Sequence, residues 1–342
     1  MPNTNKGLTI MKKTIVLSLI IMAIGCALLF TGCVPNVNND GVGVTDNSPL
    51  ETTPRSTFAT PPHVTTPNHT TPEARHNTEP ENHINETNNE EAAVGDNPTA
   101  FNFSAVELGA PGASRPTDSK IGWGLGKATD ERNRPLDALN AQSKYGHLSA
   151  VFIDSETDNQ IYLTFDEGYE NGFSPRILDV LRDKNVRATF FVTYDYCKNE
   201  PELIQRMLDD GHELGNHSWS HPSFPSLTDE QIAEEITKLH DYVYESFGYE
   251  MRLIRFPMGE FSERVLAATQ NAGYKSIFWS FAYADWNVNS QPSTSEAFSK
   301  ITQASHPGAV ILLHAVSCTN AEILAEVIDY WTAQGLKLSL IA

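Results

Sequence analysis

The chain has 342 residues, 40% of them hydrophobic, which is enough for a sizeable core and, by length alone, for one large or two medium domains. Its formal net charge of −19 excludes nucleic acid as a partner, because phosphate binding needs a basic face. The same charge opposes long-range attraction to anionic polymers, although much of it (Glu73, Glu79, Glu81, Glu86, Glu90, Glu91) sits in an N-terminal tail.

Residues 1–33 read as an address. Lys12 and Lys13 precede an apolar run, 14–30, that ends in Thr31-Gly32-Cys33; a positive start, an apolar middle and a small residue before the cut describe a secretory signal. The small-residue-then-Cys end resembles a bacterial lipobox, which makes Cys33 the lipidated first residue of an exported protein. That protein is expected at the outer face of the cytoplasmic membrane. Ala23-Ile24-Gly25-Cys26 is a poorer second candidate, and an uncleaved anchor helix or plain secretion remain alternatives. Met11 is a better start than Met1. Residues 34–98 are dominated by Thr, Pro, Asn and Glu. Such a tract buries too little apolar surface to offset its ordering entropy and is expected to be a disordered linker. Its histidines, His63, His69, His76 and His83, lack convergent partners and are not read as a metal site. Residues 99–120 form a lead-in to a domain spanning 121–342, with Gly122-Trp123-Gly124 expected to pack on its main part.

Within that domain the elements alternate. A β-rich run at 161–165 is followed by a helix from Ser174-Pro175 to about 184, with Ser as cap and Pro at the first helical position. A strand at 188–192 precedes a helix at 201–210 that stops at Gly211, and 213–215 is the next strand. Thr228 and Gln231 form a capping box that starts an amphipathic helix (Ile232, Ile236, Leu239, Val243) ending near Gly248. Strands at 253–256, 276–279 and 310–313 complete the set, with helices near 262–271 and 321–334. Alternating β and α segments predict a parallel sheet, open or closed into a barrel, with its chemistry at the C-terminal strand ends. Cys197 and Cys318, far apart in sequence, are expected to stay unpaired.

Each unusual polar cluster falls just after one of these strands: Asp166-Glu167-Gly168, His217…His221, Arg255…Gly259, Asp285-Trp286 and His314. Singly, each has a plain explanation as a turn, a cap or a surface residue. Their shared location is what points to a site. Histidines at i and i+4 on a helical turn present two imidazoles to one metal, and a carboxylate from a neighbouring strand supplies a third ligand. A metal so held activates water and polarises a carbonyl. A second carboxylate beside the first accepts the water's proton, and a histidine across the site protonates the leaving group. A glycosidase would need its two carboxyls about 5–9 Å apart across a sugar ring, which adjacent residues on one strand do not naturally provide.

Thr164-Phe-Asp-Glu-Gly168, the His217…His221 pair, Arg255…Gly259, Asp285-Trp286 and Leu312-Leu-His314 resemble, in order and spacing, the five motifs of the polysaccharide deacetylase (NodB-homology, carbohydrate esterase family 4) family. The sequences around Gly168-Tyr-Glu-Asn-Gly172, Gly215 to Pro222, Phe278-Trp-Ser280 and His306-Pro-Gly-Ala309 are most similar to its sporulation-type members, which deacetylate N-acetylmuramic acid of peptidoglycan on the way to muramic δ-lactam. The resemblance implies a distorted (β/α) barrel of about seven parallel repeats. It also implies a hydrolase of the acetamide in cell-wall polysaccharide, with one divalent ion, most simply zinc. By the same resemblance Asp166 is the general base, and Glu167, His217 and His221 hold the metal. Arg255 orients Asp166, Asp285 keeps His314 protonated as the acid, Met258 offers a backbone oxyanion donor, and Trp286 is expected to touch substrate. Glu167 departs from the family's usual Asp, or the Asn of muramic-type members, and Phe256 replaces a frequent Pro. N-acetylglucosamine polymers are the alternative substrate, and a non-catalytic wall-binding lipoprotein the alternative class.

Overall fold

The structure, a computed structural model, describes residues 116–341. The signal segment, Cys33, the linker and most of the lead-in lie outside the described residues. None of the helices among the described residues is long and apolar enough to cross a membrane.

A first hairpin-like contact joins β1 (Ile121–Gly122) antiparallel to a later strand, β7 (Glu260–Phe261). The remaining strands are β2 (Ala150–Val151), β3 (Gln160–Glu167), β4 (Thr189–Val192), β5 (Glu213–Asn216), β6 (Leu253–Ile254), β8 (Lys275–Ile277), β9 (Ala309–His314) and β10 (Lys337–Leu338). They form one sheet, and every pairing in it is parallel. Seven strands in the order β9-β3-β4-β5-β6-β8-β2 make a curled wall, and β10 adds beside the start of β3. The wall nearly closes on itself: past β8, Phe281 N–H donates to Val310 O (3.2 Å) and Leu312 N–H to Phe281 O (2.9 Å), while Asp154 N–H reaches Gly308 O (3.0 Å). The parallel sheet is the one the alternation predicts, and its seven curled strands match the distorted barrel that the family resemblance implies.

The helices are α1 (Leu136–Tyr145), α2 (Ser174–Asp183), α3 (Tyr194–Asn199), α4 (Pro201–Asp209), α5 (Asp229–Phe247), α6 (Glu263–Asn271), α7 (Thr294–Gln303) and α8 (Cys318–Ala333). The capping box at Thr228 and Gln231 forms as expected, and Gly248 ends α5 in the left-handed conformation (φ 67°), where a Cβ would be strained. Ile232, Ile236, Leu239 and Val243 are fully buried along one face, each contributing about 1.5–3 kcal/mol by leaving water. At α2 the expected Ser cap is not made. Ser174 is already helical, and the Glu170 carboxylate accepts from the N–H groups of Gly172 and Ser174 instead. Helices α1, α3 and α7 are additions to the expected set. Cys197 and Cys318 are both buried and unpaired.

Two apolar layers follow from the pleat, in which successive side chains leave opposite faces. Ile161, Leu163 and Phe165 of β3, with Phe190, Leu214, Ile254, Phe278, Ile311 and Leu313, face the helices in the main core. Tyr162, Phe191, Leu253, Ile277 and Val310 pack with Ile341 on the inner face. That alternation decides which polar residues meet at the top of the wall.

Candidate active site

Counting along each strand from the inner apolar layer predicts the inward polar residues. Tyr162 is inward, so Thr164 and Asp166 are; Phe191 and Leu253 are inward, and so is Arg255; Val310 is inward, and so is His314. The contacts agree. Arg255 is fully buried and donates from Nη1 to Asp166 Oδ1 (2.7 Å), from Nε to Ile277 O (3.1 Å) and from Nη2 to Phe278 O (3.2 Å). Its guanidinium lies 4.2 Å from the centre of the Phe191 ring, a cation–π contact that steadies a buried cation. Phe191 in turn lies over Gly215, where a Cβ would come 2.3 Å from the ring; only glycine leaves that room. Burial pushes the Asp166 carboxyl upward, but the Arg255 charge, with His217 and His314 nearby, outweighs it and holds it below the ordinary carboxylate value. Asp166 is therefore an ionised base with one oxygen pinned and the other, Oδ2, 3.7 Å from His217 Nε2.

The neighbouring strand β9 carries the acid, with His314 in register beside Asp166. His314 Nδ1 lies 2.7 Å from Asp285 Oδ1, and the His314 backbone N–H donates to Asp285 Oδ2 (2.8 Å). Burial pulls the His314 pKa down, yet the bond and charge of Asp285 outweigh it and leave the imidazole above its usual value. With Nδ1–H given to a carboxylate, the imidazolium can release a proton only from Nε2.

His217 and His221 meet, but not on a helix. They sit in the irregular stretch after β5, in which Ser218 (φ 72°) and His221 (φ 58°) take left-handed conformations. Their rings are 5.0 Å apart. The segment is held by Asn216, which donates to Ile236 O (3.0 Å) and accepts from Ser218 N–H (2.8 Å), and by Glu235, which accepts from Ser220 N–H (2.8 Å). The motif loop after β6 places Met258 at φ 60° with its side chain exposed. Trp123 clamps that loop: its N–H donates to Gly259 O (2.9 Å) and its indole to Trp279 O (2.9 Å). Trp286, beside Asp285, is 58% exposed and available to a ligand.

A sequence profile described as "Polysaccharide deacetylase" matches residues 154–277. The chain is 40% identical over 235 residues to the Bacillus subtilis peptidoglycan-N-acetylmuramic acid deacetylase PdaA, covering 68% of this chain and 89% of that protein. The chain belongs to the polysaccharide deacetylase family. An uncharacterized 30.6 kDa protein of Geobacillus stearothermophilus is 44% identical over 220 residues, covering 63% of this chain and 81% of its own. The solved structure of Bacillus subtilis PdaA, a family 4 carbohydrate esterase, superposes with a TM-score of 0.62 at 38% identity, over 66% of this chain and 96% of that one.

The metal triad implied by the family resemblance is not assembled. Glu167 follows the inward Asp166 by one residue, and a step of one along a strand exchanges faces. Its carboxyl therefore lies on the helix side, fully buried, with Glu170 and Tyr196 as its electrostatic neighbours and no hydrogen-bond partner for either oxygen. Burial, reinforced by Glu170 and Asp166, pushes its pKa well above the ordinary range. Among the described residues no three His, Cys, Asp or Glu side chains gather closely enough to hold an ion. His217 does suit a metal: its Nδ1–H donates to Arg255 O (2.8 Å), and burial keeps the ring neutral with a pKa of about 4, so Nε2 offers a lone pair. Two imidazoles without a third donor do not fit a catalytic zinc site. Glu167→Gln is accordingly expected to leave a calorimetric zinc titration unchanged and the fold no less stable. A loss of about tenfold in affinity, roughly 1.4 kcal/mol, would restore Glu167 as a ligand.

Proposed function

We propose that this chain hydrolyses the acetamide of N-acetylmuramic acid in peptidoglycan, the reaction that precedes muramic δ-lactam closure. The observation that carries the proposal is the pair set side by side at the ends of β3 and β9: a carboxylate kept ionised by a buried arginine, and an imidazolium kept protonated by a buried aspartate. Asp166 Oδ2 takes a proton from water as its oxygen adds to the acetamide carbonyl carbon. The backbone N–H of Met258 donates to the developing oxyanion. His314 Nε2 delivers a proton to the sugar nitrogen as the C–N bond breaks, leaving acetate and a free amine. Trp286 borders the sugar. The family's divalent ion is assigned no step, because the third donor is missing from this arrangement.

Kinship with PdaA at 40% identity favours muramic acid over N-acetylglucosamine polymers. Mass spectrometry of muropeptides after incubation with the purified chain tests this directly. One acetyl group should be lost from the muramic residue; loss from glucosamine would redirect the proposal, and no loss with acetate absent would favour a wall-binding role.

The proposed setting is the outer face of the cytoplasmic membrane, through lipid on Cys33. Cys33→Ser is expected to release the protein from the membrane fraction, or to block its processing, with its deacetylase rate unchanged. Unaltered retention with normal processing would indicate an anchor helix instead.

A further inference from the structure

Asp285 accepts a third N–H that the motifs do not account for. Asn320, on the first turn of α8 and 1% exposed, donates from Nδ2 to Asp285 Oδ2 (2.6 Å) and more weakly to His314 O (3.3 Å). Its backbone N–H is capped by Ser317 Oγ (3.0 Å), which fixes where the side chain starts. The Tyr283 hydroxyl donates to Asn320 Oδ1. That contact sets the amide's orientation, since a flipped amide would turn its oxygen onto the carboxylate. Asn320 thus ties together three separately delivered pieces: the end of β9, the loop after β8 that carries Tyr283 and Asp285, and α8.

We propose that Asn320 is a positioning residue for the acid, its side-chain amide, oriented by Tyr283, holding the Asp285 carboxylate so that Oδ1 stays in line with His314 Nδ1. Asp285 is completely buried, and a buried carboxylate turns toward whatever donors it has. With Asn320 in place, Oδ2 is satisfied by two N–H groups and Oδ1 is left for the imidazole. Without it, Oδ2 keeps only the His314 backbone N–H, and the carboxylate is held less firmly against rotation about its Cβ–Cγ bond. The other titratable groups facing His314 are Asp166, Arg255 and His221, and none of them contacts Asn320 in the bonds described.

The inference deepens the proposed reaction, so its test includes a readout that does not depend on activity. The NMR titration of the His314 ring is followed in the full chain, with His314→Gln used to assign the signal. Asn320→Leu, which keeps volume and removes the donor, should lower the His314 pKa by about one unit. Tyr283→Phe, which keeps Asn320 but frees its amide to turn, should shift it the same way by less and is the variant of choice if Asn320→Leu fails to fold. In kinetics the basic limb of kcat/KM should move to lower pH by the same amount, and kcat should fall about tenfold with KM unchanged. A purely structural role would change stability alone. An unchanged or raised His314 pKa in both folded variants would overturn the proposal. An inactive wild type whose His314 titration still responds would overturn the proposed reaction and leave the positioning role standing.

Discussion

Asp166→Asn is expected to cut turnover by roughly 10²–10⁴-fold, the usual worth of a positioned general base. The substitution keeps the oxygen that accepts from Arg255 Nη1 and removes the ability to hold a proton. The protein should remain folded, as circular dichroism would show, although a buried guanidinium that has lost its counter-charge makes it less stable. The wild-type pH profile follows from the same pair. The base works when deprotonated, so the rate falls as pH drops through the Asp166 pKa, which Arg255 holds below the usual 3.8. The acid works when protonated, so the rate falls as pH rises through the His314 pKa, which Asp285 lifts above 6.5. A broad plateau between these limits is expected in kcat/KM. Near-normal turnover in folded Asp166→Asn would remove Asp166 from the chemistry.

Much of this site is legible in the sequence because the strand ends are. Each motif follows a short apolar run, and parallel sheets collect chemistry at those ends, so Asp166, Arg255, Asp285 and His314 can be brought together before any coordinates. Glu167 shows where adjacency misleads. Two neighbouring acids look like one pair in sequence, whereas the pleat sends them to opposite faces. Counting from Ile161, Leu163 and Phe165, all apolar and all outward, places Glu167 on the helix side in advance. The His217…His221 spacing suggests a helical turn because the same spacing recurs on helices. The left-handed Ser218 and His221 are signalled only weakly, by Gly215 and Pro222 on either side. Tyr283 and Asn320 carry no local signal, since each matters through a partner at least 35 residues away, and only the folded chain supplies that partner. Helix α3 escapes sequence reading because its six residues are too few to show an amphipathic period.

Arg255→Met should be the most damaging single change to the fold. Methionine approximates the length of the side chain but makes none of its three hydrogen bonds, so Asp166 is left buried beside two unpaired carbonyls. Removing one partner of a buried ion pair costs about 3–5 kcal/mol, which for a domain of this size lowers Tm by on the order of 10 °C. The pH dependence fixes the cause. In the wild type the depressed Asp166 pKa stabilises the fold fully above the unfolded value of about 3.9, and that contribution is lost as pH falls through the folded pKa. Without Arg255, burial, the largest influence on the carboxyl, is opposed only by His217 and His314 and raises its pKa. The sign then reverses: the site favours the protonated form, and the acidic limb of kcat/KM moves toward neutrality. Arg255→Lys should fall between, because an ammonium restores the charge but cannot reach Asp166 and the carbonyls of Ile277 and Phe278 in one planar fork. Denaturant midpoints measured with the pH–rate profiles separate the two effects. An Arg255→Met protein as stable as the wild type, with its acidic limb unmoved, would mean that Arg255 neither pairs with Asp166 in solution nor keeps it ionised, and the base would have to be sought elsewhere.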